Sequence, residues 1–188
     1  MTVAARWISI LAHPFAMVVL LVGGAGWRLA PGWPTLQALL LVVLLAIVPV
    51  AILMIRQTAR GRWGDADASN PRERPLLFVV ALIGITFVCA WLRFRDPSSF
   101  LVRGMLAAAL LLGVAALLTR WVKVSLHLAF AGFAATSLAL LGSVLGYLIV
   151  GVIPPLAWSR LTLARHRPLE LALGLALGVV AGGTLVRL

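Results

Sequence analysis

The sequence predicts an all-α, polytopic membrane bundle of six or seven transmembrane helices. Three observations carry that expectation. Of 188 residues, 63% are hydrophobic and only 11% are charged, whereas a soluble domain is about half apolar. The apolar residues fall into blocks of about 17–25, long enough to cross a bilayer. The charges gather in the short connections between blocks. Lipid offers no partner to a backbone amide, so each block must close its own hydrogen bonds as a helix.

The first block runs from Ile8 to Trp27 and contains His13-Pro14, so its early turns are expected to be irregular. It is too long for a signal-peptide core and a second block follows closely, which reads as a retained helix. The connection RLAPGWPT leads to the second block, Leu36 to Ile55, where Pro49 should produce a kink. A polar segment, RQTARGRWGDADASNPRERP, spans Arg56 to Pro75. The third block, Leu76 to Leu92, is ended by Arg93, Arg95, Asp96, Pro97 and two serines. The fourth covers Met105 to Leu118. The apolar stretch from Val124 to Trp158 is either one long kinked helix or two short ones turning near Gly142-Ser143. Two short helices would each span about 25 Å. The last block runs from Pro168 to Leu185 and carries glycines at 174, 178 and 182; Gly142 and Gly146 repeat that spacing. Small residues at every fourth position let helices approach closely. The chain reads as one integral membrane domain, 1–188, with two N-terminal helices in 1–56 ahead of a core in 57–188.

A net charge of +11 has several generic meanings. Nucleic acid is not expected as a partner, because no soluble basic domain is present to bind it. Cations between apolar blocks serve instead as topology signals, lipid-headgroup contacts or anion ligands. The single cysteine, Cys89, lies inside an apolar block and rules out an intrachain disulfide.

Three clusters draw the chemistry. They are Arg72-Glu73-Arg74-Pro75, Lys123-Val124-Ser125-Leu126-His127, and Ser159-Arg160 with His166 and Glu170. Ionisable groups near apolar blocks are costly and are functional candidates by default. Lys123 and His127 are four apart at a helix start, so they can share a face, and Ser125 is placed to cap that helix. Pro168 suits a first helical position, making Arg167 the cap and Glu170 the third helical residue. From there Glu170 can reach back to His166, fix its tautomer and leave one ring nitrogen free to attack. A plain helix-dipole carboxylate would occupy the same position as Glu170, and flanking arginines serve as ordinary anchors. The clusters converge only if they share a membrane face. Two blocks separate the first from the second, so those agree; the third agrees only if Val124–Trp158 crosses twice.

The order of these residues resembles the type 2 phosphatidic acid phosphatase superfamily, which shares its site with vanadium haloperoxidases. The family's third motif is Ser-Arg, five residues, His, three residues, Asp; here it reads Ser159-Arg160, LTLAR, His166, RPL, Glu170. The second motif, Pro-Ser-Gly-His, stands as Val124-Ser125-Leu126-His127. The first, Lys, six residues, Arg-Pro, keeps Arg74-Pro75 but has Asp67 in place of lysine. The resemblance covers roughly residues 67–188.

It implies a catalytic core in 57–188 and a phosphohistidine mechanism with no metal or other cofactor. His166 would attack phosphorus, Glu170 would orient it, and His127 would serve the leaving oxygen and then water. Arg74, Ser125 and Arg160 would hold phosphoryl oxygens. Apart from the resemblance, Lys123, four residues before His127, is the candidate to supply the lost cation, with Arg60 or Arg62 in the polar loop as weaker substitutes. The expected substrate is a lipid phosphate, such as phosphatidate, phosphatidylglycerol phosphate or a polyprenyl phosphate, drawn from membrane lipids. The expected location is a bacterial inner membrane. The alternatives are a non-catalytic transporter or scaffold that keeps motif remnants, and a lipid phosphotransferase. The cation count favours a cytoplasmic motif face, but it narrows once the site cations are removed, and the resemblance allows the outer face. The oligomeric state and the substrate's identity stay open.

Overall fold

The computed structural model describes residues 2–65, 67–95 and 100–187; the break expected at Asp96–Ser99 lies outside them. Among the described residues the chain is helical, with no strand. The helices are α1 (Thr2–Leu11), α2 (Pro14–Leu29), α3 (Trp33–Leu41), α4 (Val48–Ala59), α5 (Arg74–Arg95), α6 (Phe100–Leu118), α7 (Leu126–Leu140), α8 (Val144–Thr162) and α9 (Pro168–Arg187). Among the described residues six helical runs are long and apolar enough to cross a membrane: Thr2–Leu29, Trp33–Ala59, Pro71–Arg95, Phe100–Leu118, Val144–Thr162 and Pro168–Leu185. Leu110, Leu148 and Val180 stand exposed on the outside of the bundle. Lipid is the solvent that suits such a surface, and the chain is an integral membrane protein.

The two irregularities expected from proline take definite forms. At Ala12-His13 the first run breaks. Pro14 opens α2, and His13 caps it, its Nδ1 accepting the Phe15 amide at 3.3 Å. In the second run a π-helical stretch, Val42–Ile47, links α3 to α4 and precedes Pro49. Proline cannot donate to the carbonyl four residues back and its ring crowds it. The wider π turn accommodates this. The Leu45 carbonyl so placed lies against Gly84 of α5, where any Cβ would overlap it.

The stretch 124–158 resolves into two helices. α7 ends at Leu140 and α8 begins at Val144. Between them Gly142 adopts φ +69°, and Gly146 lets α8 lie against the α7 backbone at Leu138 and Ala139. α7 has 15 residues, about 22 Å at 1.5 Å each, short of a full span. It does not need to face lipid, because α2, α8 and α9 pack around it. Along α9, Gly174, Gly178 and Gly182 lie over backbone atoms of Ser125, Ala129 and Phe133. The Ser125 amide donates to the Glu170 carbonyl at 3.1 Å, which joins the heads of α7 and α9. The α7–α8 hairpin therefore returns the chain to the end from which α7 left.

Candidate functional site

That end of the bundle holds a cleft. Its head is polar, lined by His13, Asp67, Arg74, His127, Arg160 and His166. Its length is apolar, walled by Phe15, Val50, Leu77, Ile85, Leu112 and Phe130. A second pocket, on the other side of His13 and Asp67, is lined by Arg6, Ser9, Lys123 and Arg165.

His166 sits in the turn between α8 and α9, only 7% exposed. Pro168 starts α9, so Glu170 is its third residue and its backbone amide bonds the Arg167 carbonyl at 3.0 Å. The Glu170 carboxylate reaches back. Oε2 accepts the Arg167 amide at 3.2 Å and lies 2.8 Å from His166 Nδ1. An ionised carboxylate only accepts, so Nδ1 carries the proton and Nε2 keeps its lone pair. Burial, and then the charges of Lys123, Arg160 and Arg74, push the His166 pKa down to about 2. The ring is therefore neutral at physiological pH.

Arg160, in the last turn of α8, is 1% exposed. Its Nη1 donates to Ser9 Oγ at 2.6 Å and to Asp67 Oδ2 at 2.7 Å, while Nε is buried with no partner. Arg74, at the start of α5, donates from Nε to the Ala68 carbonyl at 3.2 Å and from Nη1 to the Val124 carbonyl at 2.6 Å. These bonds hold two guanidinium groups at the head of the cleft. His127, the second residue of α7, lies edge-on to His13 with ring centroids 5.2 Å apart. Its Nε2 is buried without a partner among the described residues.

Four of the seven expected residues, Arg74, His127, Arg160 and His166, thus line one cleft, and Glu170 supports the last of them. Two expectations need correction. Ser125 occupies the cap position of α7, but its hydroxyl makes no cap bond and is buried without a partner. Lys123 does not share a helix face with His127, because α7 begins only at Leu126. Its amine bonds the carbonyls of Arg165 at 2.5 Å and Ser69 at 3.2 Å, and stands 3.9 Å from Glu170 Oε2. Its charge acts behind Glu170 rather than in the cleft. Burial above all lowers its pKa. Arg60 and Arg62 are exposed and do not line the cleft.

The residues passed over by sequence reasoning are His13, Ser9 and Asp67. The available signal was a histidine within an apolar run, which the bilayer makes costly. Asp67 was visible only as an absent lysine.

His13, Asp67 and His127 each bring one metal-ligating atom to within 4.8 Å of the others. Their hydrogen bonds do not suit a metal. His13 Nδ1 accepts the Phe15 amide, so the neutral ring holds its proton on Nε2 and has no lone pair to give there. The arrangement fits an anion-binding and proton-transfer site better. No family model, curated protein or solved structure matches the chain.

Proposed function

We propose that the protein is a membrane lipid phosphatase that hydrolyses a phosphomonoester, or the end phosphate of a diphosphate, through a phosphohistidine. The observation that carries this reading is the His166–Glu170 pair, 2.8 Å apart, at the head of a cleft whose far walls are apolar. The apolar length suits lipid chains and the head suits their phosphate.

In the first step the Nε2 lone pair of His166 attacks phosphorus. The N–P bond forms as the P–O bond to the lipid alcohol breaks, and His127, entering the step as the imidazolium beside the bound phosphate dianion, protonates the departing oxygen and becomes neutral. Glu170 holds the positive charge that develops on the His166 ring. Arg160, through its unpartnered Nε, and Arg74 offset the negative charge on the equatorial oxygens. In the second step His127 takes a proton from water, whose oxygen displaces His166 and yields inorganic phosphate. His127 Nε2, buried without a protein partner, is suited to both transfers. The arrangement of motifs supports the same reading, through its resemblance to the type 2 phosphatidic acid phosphatases.

The test is phosphate release from lipid phosphomonoesters by the purified protein. His166→Ala and His127→Ala are expected to lose at least about 1,000-fold in kcat with folding intact. Full activity in both variants would overturn the mechanism. Binding of lipid phosphate without turnover would point to the non-catalytic alternative.

A further inference from the structure

Among the described residues the head of the cleft contains one carboxylate, Asp67, among groups otherwise suited to anions. An uncompensated carboxylate beside a bound dianion would repel it. Asp67 is nevertheless fixed there. Its Oδ2 takes Arg160 Nη1 at 2.7 Å. Its own amide bonds Asp65 Oδ1 at 2.9 Å, and Asp65 is ion-paired with Arg165. The next residue, Ala68, is buried with φ +48°, and its carbonyl is held by Arg74. Arg160 is not used up by this pairing, since Nε remains buried and unpartnered. Asp67 is likewise not saturated, because a carboxylate has about four acceptor sites.

We propose that Asp67 makes this site a reader of protonated phosphate, accepting a hydrogen bond from a P–OH group and rejecting oxyanions that have none. The proposal rests on the phosphatase reading and names its substrate class. The donors Arg74 and Arg160 attract any oxyanion. Asp67 then divides them by proton content. A phosphomonoester has a second pKa of about 6, so it carries a hydroxyl in part of its population near neutral pH. That hydroxyl turns repulsion into a short charge-assisted hydrogen bond. Sulfate has no proton at that pH, and a phosphodiester has none to offer either. Most membrane phospholipids are diesters. A cleft open to lipid and lined only by cations would fill with them, whereas one containing Asp67 admits a terminal phosphate and turns diester headgroups away.

The test uses the full-length protein in detergent at pH 6.5. Radiolabelled inorganic phosphate is bound at equilibrium, with unlabelled phosphate, sulfate and dimethyl phosphate as competitors. Phosphate is expected to compete at least about tenfold better than either of the other two. Asp67→Asn replaces the acceptor pair with an amide that also donates. In that variant sulfate should gain and the gap should close to within about threefold. The wild-type ratio is informative even if the variant fails to fold. Equal competition by phosphate and sulfate in the wild type, or an unchanged gap in Asp67→Asn, overturns this inference and leaves the phosphatase reading standing. If phosphate does not bind at all while lipid phosphate is not hydrolysed, both fall together.

Discussion

The closeness of α7 and α9 makes a sharp prediction at Gly178. A Cβ built there would overlap the Ala129 carbonyl oxygen and stand 2.8 Å from Phe133 N and 2.9 Å from the Ala129 carbonyl carbon. All three are backbone atoms, so no rotamer change relieves the contact and α9 must move off α7. Ordinary carbon contacts begin at about 3.5 Å, so a shift of roughly 1.5 Å is needed to clear the carbonyl oxygen. Overpacking of this kind costs about 1–3 kcal/mol. At about 2–4 °C per kcal/mol for a chain of this size, Gly178→Ala should lower Tm by roughly 2–12 °C. Gly183, on the same helix, is the control, because a Cβ there meets no atom within 4 Å. Gly183→Ala gains helix propensity, about 0.8–1 kcal/mol, and should melt no lower than wild type. Tryptophan fluorescence during heating in detergent reads both. If Gly178→Ala melts no lower than Gly183→Ala, the packing argument is wrong. The effect should also reach the site. α9 carries Glu170, and its carbonyl holds the Ser125 amide at 3.1 Å, so displacing the helix pulls the His166 support away from His127.

Two further outcomes follow from the His166–Glu170 pair. Glu170→Gln keeps an oxygen 2.8 Å from Nδ1 but removes the charge and can present N–H instead, which selects the wrong tautomer; kcat for phosphate release should fall by about 100- to 10,000-fold with KM little changed, and a variant within twofold of wild type would refute the role. The depressed pKa of His166 links folding to pH: the unfolded chain takes up a proton below about 6.5 while the folded one resists to about 2, so the stabilisation is present above 6.5 and is lost as pH falls. Between pH 7.5 and 5 the loss is about 2 kcal/mol, and denaturant unfolding of His166→Gln should show a shallower acid slope than wild type; equal slopes would exclude the linkage.

The helical bundle was legible because the bilayer permits few solutions. Blocks of apolar residues had to be helices, and the charged connections marked where they end. The division of Val124–Trp158 was decided by what lies between. Gly142 and Ser143 allow the turn, and Gly146 lets the second helix fold back against the first. The glycine spacing in α9 was legible for the same reason, since only glycine brings its backbone onto that of α7. The His166–Glu170 contact followed from local rules, as proline set the helix start and the start set the reach of the carboxylate.

What stayed hidden depends on contacts distant in sequence. Helical spacing placed Lys123 beside His127, but the amine turns to carbonyls on two other segments, at Ser69 and Arg165. Ser125 holds the expected cap position, yet its amide, not its hydroxyl, makes the defining bond, and the partner is 45 residues away in Glu170. His13 looked like a local disturbance of a helix. It is that, since it caps α2, but the same break turns the ring toward His127 in the cleft. Asp67 is the most instructive position. Compared with the resembling motif it is a lost cation, a reversal of two charge units at the proposed phosphate site. In the folded chain it meets Arg160, a partner 93 residues away. A lysine there would add one more attraction for every oxyanion. Under the proposed function, a carboxylate held by an arginine adds discrimination among them, and a cleft that draws its substrate from the bilayer would have greater need of discrimination, because many membrane lipids carry anionic headgroups.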